Sequence, residues 1–152
     1  MKQRLEACLQ FRDTRPIASV EEKGKCFQLN NKDEKAHISC IKIDGCVFKN
    51  EDIPRCDYLI EAVSVNKRNK VFYIELKGTD LIRAIKQIKT TLVLTKHIFT
   101  NSIYEARIVM GGSVPNVLDR KEYLDLLEIV KKSGGTLVKK NLKIYQESLK
   151  FD

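Results

Sequence analysis

The alternation of apolar and polar residues between positions 56 and 77 predicts two neighbouring β-strands joined by a basic turn. The first strand is expected at about Cys56–Val65 and the second at about Val71–Lys77. Side chains of a strand alternate between its two faces, so the even-numbered positions share one face. That face is nearly all apolar and comprises Tyr58, Ile60, Ala62, Phe72, Ile74 and Leu76. It is therefore predicted to belong to a hydrophobic core.

The odd-numbered face of the same two strands carries charged side chains. A turn of three or five residues pairs odd positions with odd positions, which predicts that Asp57, Glu75 and Lys77 share this face. Opposite residues of paired strands lie about 5 Å apart and diagonal ones about 7–8 Å. Two carboxylates at such distances repel each other unless a cation lies between them, and a divalent metal ion or the Lys77 ammonium suits that position. The alternative is a solvated charged face, because edge strands often carry charges.

Helical spacing replaces strand alternation after Thr79. Apolar residues then recur every three or four positions, at Leu81, Ile85, Ile88 and Leu92. Thr79 or Asp80 is suited to cap the first backbone N–H groups of this helix. We therefore predict an amphipathic helix directly after the second strand.

Similar patterns predict the remaining elements. Before the strand pair they are a helix over Lys2–Phe11 and a hairpin formed by Lys25–Leu29 and Ala36–Ile43. After the amphipathic helix they are Tyr104–Met110 as a strand, Asp119–Ser133 as a helix and Thr136–Tyr145 as a final strand. A four-stranded meander followed by helix, strand, helix and strand predicts an α/β fold, with a mixed β-sheet sandwiched by helices. The length of 152 residues suits a single domain over residues 1–152.

Composition and charge bear on membrane insertion, cell compartment and type of partner. No run of about 18 apolar residues is present, which excludes a membrane span. The opening residues, MKQRLEACLQF, lack the apolar stretch of a signal peptide, which favours a cytoplasmic protein. The formal net charge of +8 and the isoelectric point near 9.3 favour a polyanionic partner. The alternative is that a lysine-rich composition reflects the source organism alone.

Cysteine and histidine spacing gives no metal motif. The five cysteines are odd in number and lack a Cys-x-x-Cys pair, so neither a disulfide framework nor a zinc site is expected. Cys26, Cys40 and Cys56 lie in or beside predicted strands and are expected in the core. His37 and His97 are isolated and are expected at the surface or in turns.

Short basic clusters occur at Lys67-Arg68-Asn69-Lys70, Lys131-Lys132 and Lys139-Lys140. Such clusters usually form a solvated face. The first of them is the turn between the two central strands, on the same strand pair as the carboxylates. We therefore consider it as a brace for a phosphate backbone.

Asp57, then Glu75-Leu76-Lys77 on the next strand, then a helix, resembles the PD-(D/E)xK nuclease superfamily. Cys56 stands where the family name has a proline. The resemblance implies a restriction-endonuclease-like core in which Asp57 and Glu75 hold Mg²⁺ or Mn²⁺. The Leu76 carbonyl and waters would complete the oxygen shell, and Lys77 would orient or activate the attacking water.

The same resemblance implies a metal-dependent endonuclease or exonuclease that hydrolyses phosphodiester bonds, with DNA as the expected substrate and RNA as the alternative. Many members supply a further acidic residue from a first helix, and Glu6, Glu21 and Glu22 are all open for this role. Gln87 follows Lys77 by ten residues, where some relatives place a helix glutamine that contacts the site, although Thr91 stands where the fuller motif has tyrosine. The favoured interpretation of Gln87 is an exposed polar residue of the helix.

Two alternatives to this hypothesis remain. Small members commonly work as dimers, so a homodimer is open. The alternative function is a catalytically inactive nuclease-like module that binds nucleic acid or a protein partner. Metal binding separates the two functions, because a scaffold has no need of converging carboxylates.

Overall fold

A computed structural model of the chain describes residues 1–49, 52–76, 78–112 and 116–151. The described residues form three helices and nine strands. In chain order these are α1 Lys2–Ala7, β1 Leu9–Asp13, β2 Ile17–Glu22, β3 Lys25–Asn30, β4 His37–Lys42, β5 Tyr58–Val63, β6 Lys70–Leu76, α2 Leu81–Thr95, β7 Ile103–Met110, α3 Lys121–Ser133, β8 Leu137–Asn141 and β9 Ile144–Ser148. None of the helices in these ranges combines the length and the apolar character needed to cross a membrane.

The strands form two sheets. The large sheet has the order β1-β4-β5-β6-β7-β8, and the small sheet has the order β2-β3-β9. In the large sheet the pairs from β1 to β6 are antiparallel, whereas β6, β7 and β8 run parallel. The prediction of an α/β fold with a mixed sheet is therefore confirmed.

Both faces of the large sheet are buried, but they face different layers. On the even face of β5 and β6, Ile60 and Phe72 pack with Phe27 and Leu29 of the small sheet. This face was predicted to be core, and the prediction is confirmed. The opposite face, which includes Tyr73, packs against all three helices. The expectation that helices sandwich the sheet is thus wrong for one face, because strands β2, β3 and β9 supply enough apolar side chains to cover it.

The strand pair and the helix after it agree closely with the sequence pattern. Odd positions pair with odd positions, as in Leu59 with Tyr73 and Glu61 with Val71. Helix α2 begins at Leu81, and the Asp80 side chain accepts a hydrogen bond from the Arg83 backbone N–H at 3.0 Å. The predicted cap at Asp80 is confirmed.

The predictions for the N-terminal region were partly wrong. The first helix ends at Ala7, since residues from Leu9 to Asp13 pair with β4 as a strand. Strands β3 and β4 exist but do not form a hairpin, because they belong to different sheets. The buried Asn31 side chain fixes the crossing between the sheets by bonding the backbone N–H and carbonyl of Ala36, both at 2.9 Å.

The true hairpin of this region is β2–β3, and β2 was not predicted. Glu22 pairs with Lys25, so the turn contains only Lys23 and Gly24. Both turn residues have positive φ, at 46° and 79°, which is the signature of a type I′ turn. The predicted last strand, Thr136–Tyr145, is also divided, because β8 joins the large sheet and β9 joins the small one.

The cysteine predictions were half correct. Cys26, Cys40 and Cys56 are buried in the core as expected. Cys8 and Cys46, however, form a disulfide across 38 residues of sequence, which the absence of paired spacing had argued against. The two halves meet because the chain entering β1 lies beside the chain leaving β4, where the Lys42 N–H donates to the Cys8 carbonyl at 3.1 Å. His37 and His97 are exposed, as predicted.

Candidate metal centre

Asp57 and Glu75 meet at one end of the large sheet. Asp57 immediately precedes β5 and Glu75 is the penultimate residue of β6, and these strands are antiparallel. The Asp57 backbone N–H donates to the Ile74 carbonyl at 3.1 Å. The Asp57 Oδ2 accepts a hydrogen bond from the Leu76 N–H at 2.8 Å. These two bonds reach the residues on either side of Glu75, so Asp57 lies beside it.

Both carboxylates are buried. Asp57 and Glu75 are each only 2% exposed. The alternative of a solvated charged face is therefore wrong for these two residues. Lys77, the third predicted member, lies outside the described residues. Carboxylates removed from water require hydrogen bonds, cations or a metal ion to offset their lost hydration.

The backbone around Asp57 is held from two directions. The Asp57 carbonyl accepts the Ile43 N–H at 2.9 Å, which joins it to the chain after β4. On the helix side, the Cys56 N–H donates to Thr91 Oγ1 at 3.0 Å. The Thr91 hydroxyl in turn donates to the Gln87 carbonyl at 3.0 Å. Thr91 is fully buried, so α2 fixes the residue that precedes the first carboxylate.

The environment of Cys56 reflects this burial. Desolvation raises the pKa of the Cys56 thiol, and the nearby charges of Glu75 and Asp57 act in the same direction. Burial thus favours the protonated form of this thiol.

Glu75 opens onto a cleft of about 600 Å³ between β6, the start of α2 and the β2–β3 hairpin. Its lining includes Gln87, which is half-buried. The structure thus brings Gln87 to the same cleft as Glu75. Lys23 and Lys25 reach the cleft from the hairpin, and sequence spacing gave no indication of this.

The three further acidic candidates differ in position. Glu6 forms an ion pair with Arg12 at 2.7 Å, beside Glu61 rather than Asp57. Glu21 is exposed on β2. Glu22 pairs with Lys42 at 3.6 Å, and Lys42 also feels the charge of Asp57.

Lys42 connects Glu22 to the neighbourhood of Asp57. Burial alone would lower the pKa of Lys42, but its hydrogen bond to Tyr58 and the surrounding negative charges raise it. An ion pair with Lys42 therefore links Glu22 to the surroundings of Asp57.

The basic turn after β5 lies far from the carboxylates. Asp57 precedes β5 and Glu75 ends β6, whereas the turn joins the opposite ends of these strands. At about 3.3 Å per strand residue, the separation is roughly 20 Å. Lys67 Nζ donates to the Phe151 carbonyl at 2.9 Å and Arg68 donates to the Asn101 and Ser102 carbonyls at 3.1 and 3.0 Å. The turn thus lies at the far end of the strand pair from Asp57 and Glu75, and its role as a brace for a phosphate backbone stays a prediction.

The donor set within the described residues is small. No group of three or more His, Cys, Asp or Glu side chains suited to a metal ion occurs within residues 1–49, 52–76, 78–112 and 116–151. Two carboxylates and a neighbouring backbone carbonyl are what the described chain offers. Comparisons with protein-family models, with curated proteins and with solved structures found no match.

Proposed function

We propose that this chain is a metal-dependent nuclease of the PD-(D/E)xK type that hydrolyses phosphodiester bonds, with DNA as its substrate. The observation that supports the proposal is the meeting of two buried carboxylates, Asp57 and Glu75, at one end of antiparallel strands beside an open cleft. A structural role alone gives no reason for one of these acids to line a cleft.

The ligand types fit a hard cation. Mg²⁺ is usually held by one or two carboxylates, while waters and substrate phosphates complete its octahedral shell. Asp57 and Glu75 supply the carboxylates. The N–H and carbonyl of a strand residue point to the same side of the strand. Because the Leu76 N–H points at Asp57, its carbonyl is directed to the same side and suits the third protein ligand.

Each residue of the proposed site has a separate role in hydrolysis. Mg²⁺ or Mn²⁺, when bound, lowers the pKa of a water and neutralises charge on the scissile phosphate. Asp57 and Glu75 hold that ion in a buried position, where electrostatic interactions are stronger than in water. Lys77 positions the attacking water and stabilises the charge that develops on the phosphate. Gln87 lines the same cleft and orients the substrate or the water.

The order of elements supports the restriction-endonuclease-like core. Antiparallel β5 and β6 are followed by α2 and then by β7, which is parallel to β6. Asp57 and Glu75 lie at the ends of their strands, on the face of the sheet that packs against α2. This is the arrangement of strand, strand and helix that the sequence resemblance implies.

Glu75→Gln tests the proposal, with Glu61→Gln as a matched control. Glu61 lies on β5 with the same parity as Asp57 but further along the strand, and it is half-buried. Glu75→Gln keeps the side-chain shape and removes the charge that a hard cation requires. Replacing a residue that only supports a ligand costs 10–100-fold in metal affinity or activity, so we expect a fall of at least about 100-fold in both.

The measurement combines Mg²⁺ and Mn²⁺ titration calorimetry with cleavage of supercoiled, linear, branched and single-stranded substrates. Glu61→Gln is expected to match the parent in both. Parent protein that binds neither ion and cleaves no substrate would refute the enzyme and leave the inactive binding module. Equal losses in the two variants would mean that general charge on this face, rather than the site, is responsible.

A further inference from the structure

A groove along the first half of α2 joins the candidate metal centre to the chain before β5. The cleft at Glu75 and a second cleft of about 680 Å³ share the lining residues Asp80, Arg83 and Gln87. The second cleft continues to Asp44 and Arg55. The two clefts therefore adjoin along Asp80, Arg83 and Gln87, and we call the surface that they form together the α2 groove.

Basic side chains line the α2 groove from three parts of the chain. They are Lys23 and Lys25 from the hairpin, Arg83 and Lys86 from α2, and Lys49 and Arg55 from the segment between β4 and β5. Its acidic lining residues are Asp44, Asp52, Glu75 and Asp80, of which Asp44 pairs with Arg55 at 2.7 Å. Among the described lining residues the basic side chains therefore outnumber the acidic ones, and a cation at Glu75 would add to the positive charge.

The hairpin forms a wall of the groove opposite α2. Its type I′ turn joins β2 to β3 in two residues, so Lys23 and Lys25 project from a short, well-defined hairpin end. Lys25 reaches across to Gly111, where a side-chain carbon would lie 3.4 Å from the ammonium nitrogen. The Lys25 ammonium therefore lies next to Gly111, which lines the same cleft.

The lining also indicates which form of nucleic acid suits the groove. Proteins that hold single strands combine a basic channel with aromatic rings on which bases stack. No aromatic side chain occurs among the described residues that line the α2 groove. The apolar residues there are aliphatic, such as Ile53 and Ile82. Such a surface suits phosphates on the outside of a duplex, where bases are not available for stacking.

We propose that the α2 groove binds one phosphate backbone of a nucleic-acid duplex without regard to sequence. Lys25, Arg83 and Lys86 make the main contacts and lead that backbone to Glu75. This inference rests on the proposed function, since the bound duplex is the substrate of the same site. It places the main backbone contacts beside Glu75, whereas the basic turn at Lys67-Arg68-Asn69-Lys70 lies at the far end of the strand pair.

The test is salt-dependent binding of a labelled 20-base-pair duplex and of the matching single strand to the full chain in EDTA. EDTA removes divalent ions, so binding is measured without cleavage. Each lost phosphate contact lowers the slope of log affinity against log salt by about 0.9 for duplex DNA. The triple substitution Lys25→Gln, Arg83→Gln and Lys86→Gln is expected to lower that slope by about 2–3.

A matched triple control replaces Lys32, Lys131 and Lys132 by glutamine. These lysines are exposed and lie away from the groove, after β3 and at the end of α3. The control has the same change in net charge, so it is expected to retain the parent slope. Lys86→Gln alone, at an exposed helix position, is expected to lower the slope by about 0.9 and keeps the test decisive if the triple variant does not fold.

The outcomes separate this inference from the proposed function. A groove variant with the parent slope, or equal losses in the groove and control variants, would overturn the groove. Tighter binding of the single strand than of the duplex would overturn it as well. If duplex binding depends on the groove but no divalent ion supports cleavage, the surface stands and the enzyme proposal fails. If groove substitutions leave duplex binding unchanged while the parent still cleaves with a divalent ion, the enzyme proposal stands and the groove fails.

Discussion

Two groups of charged side chains, one around Glu105 and one formed by Asp57 and Glu75, lie on opposite faces of the large sheet. Glu105 pairs in register with Phe72, on the face that packs against the small sheet. Glu75 pairs in register with Ile108, on the face that packs against the helices. Glu105 is 3% exposed and Glu75 is 2% exposed, so burial alone does not distinguish them. Their surroundings do.

The cluster at Glu105 balances its charges within the fold. Arg107 donates to Glu105 Oε2 at 2.9 Å and also bonds Glu147 of the small sheet. Lys70 approaches Glu105 Oε1 at 3.4 Å. The Thr136 hydroxyl and N–H donate to Glu105 Oε2 at 2.6 and 3.0 Å. Although burial would lower the pKa of Arg107, these acidic partners raise it, which is the behaviour of an ion cluster that joins two sheets.

The pair at Asp57 and Glu75 instead meets at strand ends, and Glu75 lines a cleft that basic residues also line. A buried acid within a strand, paired with the cations Lys70 and Arg107 of its own sheet, is a structural element. A buried acid at a strand end beside a cleft can take a ligand from outside. Position along the strand is therefore more informative here than burial or charge.

The comparison is tested most strongly by Glu105→Gln. Removing one member of a buried ion cluster leaves its partners uncompensated and costs about 3–5 kcal/mol of unfolding free energy. We expect a loss in that range by urea denaturation in EDTA, with Mg²⁺ affinity retained by the folded fraction. Glu61→Gln is the control for carboxylate loss at a half-buried position. A loss below about 1 kcal/mol would show that the Glu105 cluster is not structural.

A smaller loss of unfolding free energy is expected from substitution of Thr91, whose hydroxyl bonds both the Cys56 N–H and the Gln87 carbonyl. Thr91→Val keeps the shape but leaves the buried Cys56 N–H without its acceptor, at a cost of about 1–3 kcal/mol. Because Cys56 precedes Asp57, we also expect about a 10-fold loss of Mg²⁺ affinity, as for residues that support metal ligands. Thr91→Ser retains the hydroxyl and should restore the affinity. A stability loss with unchanged metal affinity would mean that Thr91 serves packing alone.

Local periodicity explains which parts of the fold were predictable. The alternation in Tyr58–Val63 and Lys70–Leu76 fixes which side chains share a face, and the spacing after Thr79 fixes the helix. Both are properties of neighbouring residues. The choice of strand partner is not local, which is why β3 and β4 resembled a hairpin although they enter different sheets. Strand β2 was missed because its exposed polar residues and the following Lys23-Gly24 resemble a charged turn.

In the candidate centre, too, local features were predictable from the sequence and long-range contacts were not. Parity and the antiparallel register make it possible to predict that Asp57 and Glu75 lie on neighbouring strand ends. The sequence could not indicate that Lys25 lines the same cleft as Glu75, because it comes from the other sheet. The role of Thr91 also depends on how α2 packs over Cys56, 35 residues away in sequence. The basic turn at Lys67-Arg68-Asn69-Lys70 is on the same strand pair as the carboxylates, but the antiparallel arrangement puts it at the far end of the strands.

The smallest effect, and the one whose sign separates the two clusters, is expected for Asp57→Asn in EDTA. Asparagine keeps an oxygen to accept the Leu76 N–H, while neutralising one of two neighbouring carboxylates reduces their repulsion. We expect unfolding free energy equal to that of the parent or higher by up to about 1 kcal/mol, whereas Glu105→Gln destabilises. With Mg²⁺ at 100 times its dissociation constant the parent should gain about 2.7 kcal/mol, and Asp57→Asn should gain far less. Urea curves of both proteins with and without the ion measure this. A loss above about 2 kcal/mol in EDTA, together with no Mg²⁺ stabilisation of the parent, would make Asp57 and Glu75 a second structural cluster.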